Sequence, residues 1–205
     1  ASIMASVTSL LDAGVDFAPT DHRELLETIH HEAARLNRLI ANFLDLSRMR
    51  AGVLVANRSP GGIDEIVEAV LARMRETLRG HNVRLILRED LPDVPMDMVQ
   101  IDQLLTNVIE NAAKFSPPGT DIHITASRWR DAVRVRITDQ GPGIPPSQRE
   151  RVFEPFIGDR TGNGTGSGLG LSIAHAIVTS HGGRIWLETA PGGGTAVSFD
   201  LPMTK

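Results

Sequence analysis

Apolar and polar positions follow two rhythms along the chain, and the change falls near residue 52. Up to that point the period is helical. Ile3, Val7, Leu10 and Leu11 share one face of residues 1–13, a segment with no cap before it that reads as the tail of a longer helix. A loop carrying Gly14 and Pro19 follows. Thr20 or Asp21 is placed to cap the next helix, with Glu24 completing a capping box, and that helix is predicted to run to about Arg50. In it Ile29, Ala33, Leu36, Ile40 and Phe43 alternate steps of four and three, while Leu25, Leu26, Leu39, Leu44 and Leu46 widen the stripe. A stripe so wide exceeds what the short first segment can cover. The pattern therefore predicts a helical hairpin that pairs with a second copy into a four-helix bundle. Ala51-Gly52 closes it.

Beyond residue 52 helices and strands mix. Val53–Ser59 reads as a short strand, Pro60-Gly61-Gly62 as a turn, and Ile63–Leu78 as a helix with Ile66, Val67, Val70, Leu71 and Met74 inside. Val83–Leu87 alternates as a strand, and a shorter strand precedes Asp97. Residues 102–116 form a helix whose apolar face is Leu104, Leu105, Val108, Ile109, Ala112 and Ala113, stopped by Pro117-Pro118-Gly119. Ile122–Ser127 and Val133–Asp139 read as a hairpin around Arg130-Asp131. A helix from about Gly168 to Ser180 and two closing strands, Ile185–Glu188 and Thr195–Leu201, complete the chain. This order predicts an α+β fold, a two-layer α/β sandwich preceded by the helical hairpin.

Composition narrows the classes. Hydrophobic residues at 41% and charged residues at 22% describe an ordinary globular chain. A net charge of -4 with no long basic run argues against a nucleic-acid partner. The chain has no cysteine, which removes disulfides and thiolate metal sites. No apolar run reaches transmembrane length and the start is no signal peptide, so any membrane anchor is expected in segments outside these residues.

Candidate chemistry begins on the helix over 102–116. Asn107, Asn111 and Lys114 stand at i, i+4 and i+7 and share one stripe. Either they face water, or they meet a triphosphate and its magnesium, with carbonyl oxygens for the metal and N–H groups for the phosphates. Asp139-Gln140-Gly141-Pro142-Gly143-Ile144 sits where a strand ends. Its carboxylate either accepts from the exocyclic amine of a flat ring or forms an Asx turn. Phe153-Glu154-Pro155-Phe156 places two aromatics around a turn in a chain only 4% aromatic, as packing or as the hinge of a lid. The run from Gly162 to Gly170 matches neither the Rossmann nor the P-loop spacing. It reads as a mobile loop whose last glycines open a helix, with backbone N–H groups toward phosphates; a plain linker is the alternative. Gly192-Gly193-Gly194-Thr195 reads as a hairpin turn, with the Thr195 hydroxyl near the same ring. Among the histidines, adjacent His30 and His31 are ~100° apart on a helix and make poor joint metal ligands. His181 reads as a helix C-terminal residue favoured by the dipole.

In this order the segments resemble the kinase core of bacterial sensor histidine kinases of two-component systems. NVIENAAKF at 107–115 looks like the N box, DQGPG at 139–143 the G1 box, FEPF at 153–156 the F box, and GTGSGLGL at 164–171 the G2 box. GGGT at 192–195 looks like its weaker glycine partner, and RLNRLIANFLDLSRMRAG at 35–52 resembles the second helix of the dimerisation hairpin. LLETIHHEAARLNRL and HGGRIW are similar to the Kdp-type potassium-responsive branch.

The resemblance implies a Bergerat-type (GHKL) ATP-binding fold shared with gyrase, Hsp90 and MutL-type ATPases. It divides the chain into a dimerisation hairpin at 1–52 and a catalytic ATP-binding domain at 53–205. It implies ATP (or ADP) and Mg2+ as cofactors, Asn111 on the metal with Asn107 assisting, and Lys114 on phosphates. Phe115 would lie near adenine or ribose. Asp139 would take the adenine amine, with Gly141, Gly143 and Ile144 shaping the pocket. Gly164, Gly166, Gly168, Leu169 and Gly170 would wrap the phosphates beneath a lid at about 157–166, and Thr195 would stand near adenine. Where related ATPases carry a glutamate base four residues before the magnesium asparagine, this chain has Asn107. The γ-phosphate is then expected to be held for transfer to a histidine and on to a response-regulator aspartate. The family's acceptor motif, His-Glu/Asp-Leu-Arg-x-Pro, is missing, and His31-Glu32 imitates it without the proline. The chain is therefore expected to bind ATP without autophosphorylating. It is expected to be the cytoplasmic portion of an inner-membrane-anchored bacterial protein, homodimeric through the hairpin and partnered by a response-regulator receiver domain. Two other functions remain open, a gyrase- or Hsp90-like ATPase and a non-catalytic dimerisation module.

Overall fold

Period-two alternation builds the centre of the main sheet. β4 (Asp121–Trp129) buries Ile122, Ile124 and Ala126, and β5 (Ala132–Thr138) buries Val133, Val135 and Ile137. The two pair antiparallel, with Ile124 opposite Ile137, through a turn in which Arg130 adopts φ 56°. β7 (Thr195–Pro202) pairs antiparallel with β5, and β6 (Arg184–Thr189) with β7. β2 (Asn82–Leu87) joins β4 in parallel, so the strand order is β2-β4-β5-β7-β6.

The computed structural model describes residues 2–11, 18, 20–30, 32, 33, 36, 40, 56–157 and 168–204. The chain forms two compact units, Ala1–Ser47 and Arg48–Lys205. In the second, α4 (Met98–Phe115) and α5 (Gly170–Ser180) pack on one face of the sheet, with α3 (Ile63–Arg73) beside α4. Ile101, Leu104, Leu105, Ile109, Ile173, Ile177 and Phe199 are fully buried between the layers. Burying each such side chain stabilises the fold by about 1.5–3 kcal/mol. On the other sheet face the Arg134 guanidinium lies between Trp129 and Trp186, 4.4 and 4.8 Å from the ring centroids, and pairs with Asp200. This is the two-layer α+β arrangement expected from the pattern.

Several local expectations are corrected. Pro60-Gly61 is not a turn. It belongs to β1 (Ser59–Gly61), which pairs with β3 (Val94–Met96) in a separate two-stranded ribbon, Pro60 opposite Pro95. A ribbon with two edges tolerates prolines that a central strand would not. α3 ends at Arg73, though Met74 and Leu78 continue its buried side. α4 begins four residues earlier than expected, because Asp97 caps it by accepting from Val99 and Gln100 N–H at 3.1 and 3.2 Å.

In the first unit α1 (Ser2–Leu11) and a second helix, α2 (residues 20–30), are present, with 32, 33, 36 and 40 also helical. The His22 N–H donates to Ala18 O, so Thr20 lies inside the first turn and does not cap it; its hydroxyl donates to Asp21 Oδ1. Met4, Leu11, Leu26, Leu36 and Ile40 are exposed. The Ala51-Gly52 stop lies outside the described residues, as does much of the helix after 30.

Candidate functional site

The site is assembled where the C-terminal half of α4 meets the end of β5, the start of β7 and the start of α5. The apolar positions of α4 turn inward, and this leaves Asn107, Asn111 and Lys114 along the flank. Asn107 is half-buried, and its Nδ2 is buried with no hydrogen-bond partner among the described residues. Such a donor costs about 1–3 kcal/mol unless something fills its place. A β-carbon added to Gly170 would lie 3.6 Å from Asn111 Nδ2 and 3.7 Å from Asn107 Cβ. The first turn of α5 therefore faces both asparagines. Among the described residues no side chain caps that turn, and no acidic residue occupies it. Its N–H groups and the positive end of the helix dipole stand ready for an anion.

Further along α4, the exposed Lys114 ammonium stacks 4.8 Å from the centroid of the exposed Phe115 ring. A β-carbon on Gly141 would come within 2.8 Å of Phe115 O, so the loop after β5 passes tight against the end of α4. Of the two readings of Asp139, the Asx turn is present in the structure. Oδ1 accepts from Gly141 N–H at 2.8 Å, an Asx turn, and from Thr195 N–H at 3.0 Å. Oδ2 accepts nothing from the described residues. Burial pushes the Asp139 carboxyl up from its ordinary value, and the two backbone N–H groups partly hold it down. Gly143 adopts φ 76° against Gly194, and the Ile144 carbonyl accepts from Arg149 Nε at 3.2 Å.

Thr195 joins the site through its main chain: Asp139 N–H donates to Thr195 O at 2.8 Å. Sequence reasoning missed Gly194. At φ 86°, a β-carbon there would lie 2.2 Å from Asp139 O, so only glycine permits this approach. The signal was present in the three consecutive glycines, but period and spacing did not tell which one touches the aspartate.

Gly168 O accepts from Phe156 N–H at 3.0 Å, with Phe156 at φ 64° and Gly168 at φ 66°. The second aromatic of FEPF is thereby pinned to the start of α5, and Phe153 stacks on His175 of α5, 5.3 Å between centroids. Leu169 is buried as the residue preceding α5. Gly164 and Gly166, with most of the expected lid, lie outside the described residues. Glu110 on α4 is half-buried.

His181 also departs from expectation. It is 2% exposed, its Nε2 accepts from Asp97 N–H at 3.0 Å, and its Nδ1 lies 2.7 Å from Ile177 O. Burial holds its proton affinity below the ordinary value. The ring is neutral, so it is not held there as a charge on the dipole.

Taken as chemistry, the arrangement offers a free carboxylate oxygen at one end. At the other it offers two amides and the start of α5, and the Lys114 cation lies on Phe115 at the end of α4. A ligand with an amine on a flat ring at one end and anionic groups at the other matches both.

Comparison with known proteins identifies the family. The model of the histidine kinase-, DNA gyrase B- and HSP90-like ATPase family matches residues 96–205, and that of the His Kinase A (phospho-acceptor) domain matches 1–52. The sensor protein KdpD of Mycobacterium tuberculosis is 36% identical over 98% of this chain, covering 24% of its own length. The alginate biosynthesis sensor protein KinB of Pseudomonas aeruginosa is 34% identical over 98% of the chain and 34% of its own length. These identities are of one order, so the resemblance to the Kdp branch carries no weight beyond the family. The chain spans about a quarter to a third of the length of these curated relatives. The solved mycobacterial sensor histidine kinase MprB superposes with a TM-score of 0.64 at 33% identity, covering 71% of this chain and 97% of that one. By domain content, sequence and fold, the chain belongs to the histidine kinase-, DNA gyrase B- and HSP90-like ATPase family, in the sensor histidine kinase line.

Proposed function

We propose that the chain is the nucleotide-binding and dimerisation part of a sensor histidine kinase. It takes Mg-ATP, donates the γ-phosphate to a histidine, and supplies an aspartate on a response-regulator receiver domain through that histidine. The observation that carries the reading is the start of α5, without a capping side chain among the described residues, facing Asn111 and the Asn107 amide that has no partner among them. Asp139 Oδ2 takes the adenine amine, with Gly141, Gly143, Gly194 and Thr195 holding the ring's edge by their backbones. Phe115 covers ribose or adenine, and Lys114 reaches the phosphates. The oxygens of Asn111 and Asn107 suit a hard cation, and Mg2+ held there supplies charge neutralisation on the phosphates. Gly164, Gly166, Gly168, Leu169 and Gly170 close over them.

These residues bind, orient and neutralise, which is most of what phosphoryl transfer asks of a protein. With an amide at position 107 no carboxylate stands in the place of a general base for water, which favours transfer over hydrolysis. Residues 1–52 serve as the dimerisation hairpin and 53–205 as the catalytic domain. Exposed Leu26, Leu36 and Ile40 on the second helix support pairing with a second copy. No helix among the described residues is long and apolar enough to cross a membrane. Anchoring, where it exists, belongs to further segments of the protein.

Calorimetry with ATP and Mg2+ tests the reading. We expect one site per chain, and Asp139→Ala should abolish it. Equal binding by the variant, or none by either protein, would remove the nucleotide assignment.

A further inference from the structure

α4 and α5 run antiparallel and touch at both ends. At one end Gly170 meets Asn107 and Asn111. At the other, His181 follows the last turn of α5 and bonds to Asp97, the residue that starts α4. An amide N–H can only donate, so the Nε2 facing Asp97 N–H is the bare nitrogen. A carbonyl can only accept, so the Nδ1 facing Ile177 O carries the hydrogen. One neutral tautomer satisfies both bonds, and no other state of the ring does.

Asp97 is itself heavily engaged. Oδ1 accepts from Val99 and Gln100 N–H, and Oδ2 from Asn57 N–H and Gln100 Nε2. The imidazole is thus tied to the most restrained residue at the head of α4. Ser180 Oγ lies 3.3 Å from Gln100 Oε1 and reinforces the same junction. Two charged groups bear on the ring: Arg58, whose guanidinium donates to Ser180 O, and the Asp97 carboxylate.

We propose that His181 is a positioning residue for the nucleotide site: its neutral ring locks the register of α5 against α4 and so sets how the open start of α5 faces Asn107 and Asn111. The proposal rests on the reading of that face as the phosphate end of the site. Protonation would put an N–H on Nε2 against the N–H of Asp97, two donors nose to nose, and a second cation beside Arg58. The tie then opens, and the far end of α5 loses its fixed distance to the asparagines. Small misplacements of binding groups weaken oriented binding strongly. Burial, which keeps the proton off the ring at neutral pH, supports the same picture.

The test is nucleotide affinity of the 205-residue chain for ATP with Mg2+ from about pH 8 to about pH 5.5, across the range where an imidazole titrates. Wild type is compared with His181→Gln and His181→Ala. Glutamine offers a donor and an acceptor but does not titrate. The nucleotide's own phosphates titrate in this range for every protein, so the ratio of wild-type to His181→Gln affinity is the quantity read. We expect that ratio to fall at least about fivefold toward acid, and His181→Ala to bind weakly throughout. A melting temperature that falls below pH 6.5 in wild type alone is what any buried neutral histidine gives. If the affinity ratio stays flat while that happens, the positioning role is overturned. Should His181→Gln not fold, Arg58→Gln replaces it: removing the cation raises the ring's proton affinity and should move the acid loss of binding to higher pH. An unmoved profile overturns the proposal. Absence of binding by all the proteins at every pH fails the nucleotide reading instead, and the proposal falls with it.

Discussion

Asp139 and Thr195 hold each other by a reciprocal pair: Asp139 N–H donates to Thr195 O at 2.8 Å, and Thr195 N–H donates to Asp139 Oδ1 at 3.0 Å. The β5–β7 ladder ends in register with Thr138 opposite Ala196. One rung further on, a side-chain oxygen replaces the main-chain acceptor. This turns the carboxylate into part of the sheet and leaves its second oxygen outward.

Asp139→Asn should separate structure from recognition. The amide oxygen still accepts from Gly141 and Thr195, while the outward atom becomes a donor facing another donor. We expect adenine-nucleotide affinity to fall by about tenfold or more, since a bond to a charged group contributes about 1.5–3 kcal/mol, with little change in melting temperature. Asp139→Ala should lose both, because two backbone N–H groups are orphaned. Calorimetry and thermal melts on the pair decide it.

The same carboxyl makes acid work in opposite directions on stability and binding. Its folded-state pKa is raised above the ordinary 3.8 by burial. Its contribution to stability is therefore fully present below the unfolded value and lost as pH rises through the folded one. Binding needs the ionised form and should decline as pH falls toward that raised value, at a higher pH than an exposed aspartate would give. Asp139→Asn should remove this branch of the binding profile. An unchanged acid limb in the variant would assign it elsewhere.

Two glycines in one turn provide a matched control. Gly192 and Gly194 both have positive φ, 85° and 86°, but a β-carbon on Gly192 meets nothing within 4 Å while one on Gly194 runs into Asp139 O. Gly192→Ala should cost about 1–2 kcal/mol of strain. Gly194→Ala should cost more and also weaken nucleotide binding. Chemical denaturation of both variants, beside binding, reads the difference.

Asn107→Leu should trade stability against function. The Nδ2 atom is buried without a partner, and an apolar side chain of similar shape removes that penalty of about 1–3 kcal/mol. The free protein should melt higher while affinity for ATP with Mg2+ falls. If the variant binds as well as wild type, Asn107 does not touch phosphate or metal.

Incubating the chain alone with γ-labelled ATP should leave no label on histidine, because no His-Glu/Asp-Leu-Arg-x-Pro sequence occurs in its 205 residues. Label on His31 would show that the proline is dispensable and would relocate the acceptor.

Much of this was legible because it is written in local period. The alternation of β4 and β5, the apolar stripe of α4 and the turn glycines specify their elements from neighbours a few residues apart, whose side chains must share a face. The glycine boxes and the asparagine stripe were equally plain, since backbone approach and i, i+4 spacing are chain properties. The β1–β3 ribbon was not, because Pro60 looks like a breaker until Pro95, far along the chain, lies opposite it. The start of α4 was misplaced because Asp97 acts through its cap, which no hydrophobic period records. The residues thus declared by themselves most of the elements and the candidate groups for the chemistry. Which oxygen of Asp139 stays free, which glycine touches it, that Asn107 lacks a partner, and that His181 is neutral and tied to Asp97 were decided only when distant segments met. Hydrogen bonding and burial depend on what the fold brings within about 3 Å, and sequence spacing does not encode that.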